Sequence, residues 1–422
     1  MKTTALRLYG KKDLRLETFE LPEIGENEVL ASVVTNSICM SDYKAVLQGA
    51  DHKRVTRDVA ENPIIIGHEQ CGTILKVGER LKDKFSEGMK YSIQPALNYP
   101  GKESQAIGYS YHYVGGDATK IVVHREVTEM DCLIPYSGDS FFQASLSEPV
   151  ACILAALKSQ YHVKPNQYKH LMGIKPGGSV AVLGGAGPMG LEFLDILFHS
   201  EPKPKAVVLT DVNQNKLDRA IALFPPDVVS KSGVEVSYVN ANGKGTIDEL
   251  MALSGNKGYD DVFVLVPTAN VVEQASLVLG QDGCLNLFAG PTDQHFTAPF
   301  NFYNVHYYGH HVIGSAGSTR EDMIDALDMI GKRIINPAIM ITHVGGLDSA
   351  AQSILDLPNI PGGKKLIYTG ISMPLVALQD FEEKGKNDPL FRALFGIIKK
   401  SNGVWTKEAE EYLLAHGKPL EK

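Results

Sequence analysis

SVAVLGGAGPMGLEFLDIL, residues 179–197, decides the fold. A short apolar run leads into Gly185-Ala186-Gly187-Pro188-Met189-Gly190, and an apolar stretch with helical spacing follows. That order is strand, glycine turn, helix, the context in which such a turn binds a dinucleotide. Gly185 permits the tight turn, Gly187 lets the backbone approach a pyrophosphate, and Gly190 lets the helix pack against the strand. The first-turn amides, in the segment that also holds Met189, and the helix dipole face the phosphates. Pro188 suits a first helical turn, where its missing donor costs nothing. Asp211 ends the next predicted strand, 21 residues after Gly190. Its carboxylate suits ribose hydroxyls and repels a 2′-phosphate, so NAD is the expected cofactor. Lys216 and Arg219 lie close by in sequence and keep NADP open.

Working outward, KAVVLTD (205–211), VEVSYVN (234–240), DVFVLV (261–266), CLNLFAG (284–290) and HHVIG (310–314) recur at regular intervals. Helical patterns such as NKLDRAIALF and ANVVEQASLVLG separate several of them. Apolar strands alternating with helices predict an α/β unit with a doubly wound parallel sheet. Residues 1–150 read differently. LRLYG, DLRLETF and NEVLASVVTNSI are short strands punctuated by Pro and Gly, which predicts a β-rich domain. Residues 372–422 are charged, helical in pattern, and hold the single Trp, Trp405.

Three places in the β-rich part carry ligand chemistry: Cys39, the pair His68-Glu69, and Glu148. Sulfur, imidazole and carboxylate are zinc donors, and a catalytic zinc keeps one position open. Adjacent strand residues point to opposite faces, so His68 and Glu69 both ligate only if the chain bends, which Gly67 allows. Otherwise Glu148 supplies the carboxylate. Asp42 is placed to accept the second ring proton of His68.

SICMSDYK, IIIGHEQCGTILKVG, SEPVACILAAL and VAVLGGAGPMG, in that order, resemble the zinc-dependent medium-chain dehydrogenases/reductases, most of all the sorbitol dehydrogenase branch. The resemblance covers about residues 1–371 and implies a GroES-like catalytic domain, 1–155 and 297–422, with a Rossmann domain, 156–296, inserted into it. It implies an active site in the cleft, with zinc on Cys39, His68 and one or both of Glu69 and Glu148. Ser41 is then the first member of a proton relay. Relatives carry His where this chain has Lys44. Relatives also hold a structural zinc on four Cys, whereas QPALNYPGKESQAIGYSYHYVGG (94–116) has none, so one catalytic zinc and no structural zinc are expected. The longer stretches at 159–174 and beyond 371 resemble the L-sorbose 1-phosphate reductases, a sugar-phosphate offshoot. The implied activity is NAD(P)-linked interconversion of a polyol phosphate and a ketose phosphate. The rivals are a free-polyol or threonine dehydrogenase, and a zinc-free quinone or enoyl reductase.

The composition agrees with a small-molecule enzyme. The 422 residues are 44% hydrophobic and 21% charged, with net charge −8, which disfavours nucleic acid. No apolar run is long enough for a signal peptide or a membrane span. Cys39, Cys71, Cys132, Cys152 and Cys284 are scattered and odd in number, the pattern of a reducing cytoplasm. A homodimer or homotetramer is expected. ADHKRVTRD (50–58) sets His52, Lys53, Arg54 and Arg57 between the Cys39 and His68 segments, a basic loop that suits a sugar phosphate or, with Asp51 and Asp58 cancelling it, a solvated surface. Arg320 is a second phosphate candidate, although Ser318-Thr319-Arg320-Glu321 also reads as a capping box. His306, His310 and His311 flank a predicted core strand and are not expected to bind metal.

Overall fold

The computed structural model describes residues 1–164 and 166–421. The chain divides into two compact units, Met1–Pro149 with the chain from Thr319 onward, and Val150–Ser318. This division falls at 149/150 and 318/319, beside expected boundaries of 155/156 and 296/297. The second division falls later because His311–Gly314 pairs in parallel with Leu279–Leu287 and completes the sheet of the inserted unit.

That sheet has six parallel strands. Across it run Glu235–Asn240, Ala206–Asp211, Ser179–Leu183, Tyr259–Val264, Leu279–Leu287 and His311–Gly314. In chain order this is 3-2-1-4-5-6, the doubly wound arrangement. Val180, Ala181, Val182 and Leu183 are all buried, as a strand covered on both faces requires. The strand order reverses beside Ser179–Leu183, so the glycine turn leaves the sheet where such folds bind ligands. The extra stretch near 160–174 holds a small hairpin, Tyr161–Val163 with His170–Met172. His162 fixes it, with Nδ1 3.0 Å from the Asp282 carbonyl and Nε2 3.2 Å from Asp261.

The other unit centres on an eight-stranded sheet. Its middle strand, Val29–Ile38, pairs antiparallel with Gln70–Val77 on one side and with Lys364–Tyr368 on the other. Strands from before and after the inserted unit are thus hydrogen-bonded neighbours. The charged tail is integral to this unit. Val376–Ala377 adds an edge strand to Ile341–Gly346, and helices Pro389–Ile398 and Lys407–His416 bury Leu394 and Leu413. Trp405 is 1% exposed and its indole N–H donates to Tyr368 Oη at 2.8 Å. The expected capping box is displaced by one residue. Thr319 and Asp322 exchange backbone and side-chain bonds at 3.2 and 2.9 Å, because the helix starts at Arg320 with Thr319 as its extended cap.

Candidate active site

The dinucleotide turn is built by exclusion of side chains. Gly184, one residue earlier than expected, carries the left-handed conformation at φ +68°. Gly185 is required by crowding: a Cβ there would lie 2.7 Å from Leu209 and 2.8 Å from the Val182 carbonyl. At Gly190 a Cβ would lie 1.9 Å from the Gly185 carbonyl oxygen, so helix and turn touch backbone to backbone. A Cβ on Gly187 would meet nothing within 4 Å; it would project into open space above the turn. Gly187 caps helix Pro188–His199, with Pro188 and Met189 in its first turn. These features fit a pyrophosphate resting on amides at a helix start. Asp211, 7% exposed, ends its strand and accepts the Asn213 N–H at 3.0 Å. Lys216 is exposed one helical turn further on.

The metal-capable donors come from the junctions of the eight-stranded sheet. Strand Val29–Ile38 ends at Cys39, the N-cap of helix Met40–Gln48. Gly67, at φ +94°, bends the chain between strands Ile64–Ile65 and Gln70–Val77. That bend removes the alternation that would otherwise separate His68 from Glu69. Ligand atoms of Cys39, His68 and Glu69 all lie within 4.8 Å of one another. Glu148, in helix Ser147–Ser159, stands outside this compact set, although it is buried and its charge is felt at Tyr109 and Lys364. His306, His310 and His311 are not in it either; His311 Nε2 lies 2.8 Å from Asp282.

The surroundings prepare the donors. Asp42 accepts the Cys39 N–H at 2.9 Å and sits 2.8 Å from His68 Nδ1, so one carboxylate holds two of the three segments. Burial opposes a charge on His68, but the Asp42 carboxylate overrides it and the imidazole pKa is raised. With Nδ1 on Asp42, Nε2 is the nitrogen available as a ligand. Ser41 Oγ donates to Cys39 Sγ at 3.0 Å and lies 3.5 Å from His68 Nε2.

Two residues here were not anticipated. Tyr109 places its hydroxyl 3.0 Å from His68 Nδ1, and burial keeps that phenol protonated. Lys364 sits at 7% exposure in the strand beside Cys39 and donates to Glu69 Oε1. Its pKa is raised: burial opposes the ammonium, but Glu69 and Cys39 more than offset that. Glu69 Oε2 is buried and has no hydrogen-bond partner among the described residues. A buried carboxylate oxygen without a partner costs free energy unless a cation takes it. Thiolate, imidazole and that oxygen fit a zinc ion with an open fourth position.

The other phosphate candidates separate. Arg320 Nε donates to the Asp131 carbonyl at 2.9 Å, and Arg57 donates to the Ala50 carbonyl at 2.8 Å.

Residues 25–130 match the alcohol dehydrogenase GroES-like domain. The chain is 45% identical to the L-sorbose 1-phosphate reductase of Klebsiella pneumoniae over 418 residues, covering 99% of this chain and 98% of that one. It belongs to the zinc-dependent medium-chain dehydrogenase/reductase family and is an oxidoreductase. The mannitol-1-phosphate 5-dehydrogenase of Aliivibrio fischeri is 44% identical over 414 residues, 98% of this chain and 97% of that one. The fold is that of the 2R,3R-butanediol dehydrogenase from Bacillus subtilis, with TM-score 0.70 at 20% identity over 87% of this chain and 99% of that one.

Proposed function

We propose that this protein interconverts a polyol phosphate and a ketose phosphate with a nicotinamide dinucleotide as hydride carrier, and that L-sorbose 1-phosphate reduction is the best match. The observation that carries the reading is the partnerless Glu69 Oε2 beside Cys39 and His68. Full-length likeness to two enzymes named for sugar phosphates supports the substrate class.

In this reading Cys39, His68 and Glu69 hold a single catalytic zinc, and Glu148 acts from just outside. Bound there, zinc supplies Lewis-acid polarisation of the oxygen on the reacting carbon. Ser41 would accept the substrate hydroxyl proton on oxidation while giving its own proton outward to solvent, and the same relay would run in reverse on reduction. A nicotinamide dinucleotide held by Gly185–Gly190 would supply the two-electron hydride acceptor on oxidation and the donor on reduction, the proton leaving separately through Ser41. Asp42 keeps His68 Nε2 aimed at the metal, and Lys364 holds the other oxygen of Glu69. The turn Gly185–Gly190 with Pro188 and Met189 binds the pyrophosphate, and Asp211 favours NAD, with Lys216 the residue that would admit NADP. We also propose a cytoplasmic homodimer or homotetramer; among the described residues no helix is long and apolar enough to cross a membrane.

The test is turnover of L-sorbose 1-phosphate, mannitol 1-phosphate and the parent sugars with NAD and NADP, alongside metal analysis. The phosphates are expected to be preferred and one zinc per chain found. Equal use of free sugars would move the assignment to a free-polyol dehydrogenase, and full activity without metal would end it.

A further inference from the structure

The basic loop at 50–58 is neither mobile decoration nor self-neutralised. Val55 and Val59 are 6% and 1% exposed and anchor it in the core. The Arg54 carbonyl accepts the Ser110 hydroxyl at 2.6 Å, and Ser110 Oγ in turn accepts the Ala106 N–H at 3.0 Å. The two acids expected to cancel part of the loop's charge reach Arg57 at most and leave Lys53 and Arg54 unmatched. Asp51 pairs with Lys11 at 2.6 Å and lies 3.8 Å from Arg57. Asp58 accepts from Asn62 at 2.7 Å. Neither Lys53 nor the half-buried Arg54 guanidinium has an acidic partner among the described residues.

The position of that unmatched charge is informative. The Arg54 guanidinium lies 5.7 Å from the centroid of the Tyr109 ring, and His52 stacks on the same ring at 5.7 Å. Tyr109 is the residue whose hydroxyl touches His68. One aromatic ring therefore separates the guanidinium from a metal-capable donor. His52 registers the field: its pKa falls to about 4, first through burial, then through Arg54, Lys53 and Lys44. It stays neutral at physiological pH and can offer a hydrogen bond without adding charge. In a chain of net charge −8, cations gathered beside the site are placed to attract an anion.

We infer that Arg54, with Lys53, binds the phosphate of a sugar-phosphate substrate and makes the site specific for phosphorylated over free polyols. This rests on the sugar-phosphate reading above and names the residues responsible for it. A guanidinium presents a planar fork to two phosphate oxygens, and that of Arg54 lies 5.7 Å from the Tyr109 ring centroid.

The experiment compares KM and kcat for L-sorbose 1-phosphate and mannitol 1-phosphate with those for L-sorbose and mannitol, in the zinc-loaded wild type, Arg54→Gln, Arg54→Lys and Lys53→Gln. For Arg54→Gln, KM for the phosphate esters is expected to rise about 10- to 100-fold, with the slow turnover of free sugars and the KM for the dinucleotide unchanged. Arg54→Lys restores part of the loss, because the charge returns without the fork. The exposed Lys53→Gln raises the same KM severalfold and reads the loop even where Arg54→Gln does not fold. Inorganic phosphate is expected to compete with the esters in the wild type and to do so less well in each variant. A wild type indifferent to the phosphate overturns the sugar-phosphate reading itself. A wild type that prefers the esters, with Arg54→Gln and Lys53→Gln keeping the preference, overturns the loop assignment alone. A raised KM for the dinucleotide with no change for the esters also overturns it.

Discussion

Glu69 and Glu410 are both carboxylates in the same unit, 0% and 2% exposed, and the fold treats them in opposite ways. Glu69 receives one ammonium, from Lys364, on Oε1 and has no partner on Oε2 among the described residues. Glu410 is satisfied on both oxygens by neutral donors. Oε2 accepts the Phe141 N–H at 2.7 Å; Oε1 accepts the Phe142 N–H at 2.9 Å and the Tyr368 hydroxyl at 3.1 Å. Its pKa is raised to about 7, chiefly by burial, while the three hydrogen bonds and the more distant Lys90 pull the other way. A charge paired on one side with an open oxygen on the other is suited to a ligand. A carboxyl fully occupied by backbone and phenol is suited to fastening the tail helix Lys407–His416 onto the unit.

The largest test of that contrast is at the open oxygen. Cys39→Ser and Glu69→Gln are each expected to abolish stoichiometric zinc binding and to lower kcat/KM by about 1000-fold or more, since the metal contributes several kcal/mol to the barrier. Elemental analysis and steady-state rates on freshly purified protein check this. Glu410→Gln should leave the zinc content intact, and if it strips the metal as well, the division of labour between the two carboxyls is wrong.

Next in size is Lys364→Met. It leaves the Glu69 charge buried and unmatched, which costs about 3–5 kcal/mol in the metal-free protein. Urea denaturation after chelator treatment measures it, and added zinc should recover part of the loss by taking up the carboxylate.

The Glu410 comparison predicts a pH dependence. A carboxyl whose folded pKa lies near 7, against 4.5 when unfolded, binds its proton more tightly in the native state. Its contribution is therefore fully present below about pH 4.5 and is lost as pH rises through about 7, on the order of 3 kcal/mol across that window. Lys90, Tyr368, Cys71 and Tyr136 are the other titratable groups in electrostatic contact with it. Glu410→Gln is expected to flatten the fall of thermal midpoint between pH 5 and pH 7 relative to wild type. An unchanged slope would assign the titration elsewhere. The smallest effect is Trp405→Phe, which removes the indole donor to Tyr368 and leaves a small cavity in the core; it should cost about 2 kcal/mol, readable by denaturant titration with rates unaffected.

Legibility in the sequence followed the range of the contacts. The Gly-rich turn could be read because its demands are local, and even there the left-handed residue proved to be Gly184. Cys39, Ser41, Asp42, His68 and Glu69 could be singled out because two short segments contain all of them. Whether Glu69 or Glu148 joins Cys39 and His68 was undecidable, since it depends on how sharply Gly67 bends. Lys364 lies 295 positions from Glu69, and no local pattern links them. The available signal was a lysine pair opening an apolar strand, KKLIY. Alternation sends Lys364 to the site side and Lys365 to the carbonyls of Ile360 and Gly363, at 3.1 and 2.7 Å. The domain boundary expected at 296/297 and the division at 318/319 differ over one strand. HHVIG reads as a strand from its own residues, but which sheet it joins is set by its pairing with Leu279–Leu287.

The pairing of Lys364–Tyr368 with Val29–Ile38 also fixes an order of events during synthesis. The ribosome delivers Glu69 early, then the whole nucleotide-binding insert, and only afterwards the strand bearing its ammonium partner. Domains tend to fold as they emerge. A chain cut short before residue 364 is therefore expected to keep every strand of the inserted unit and to lack the strand that brings an ammonium to Glu69.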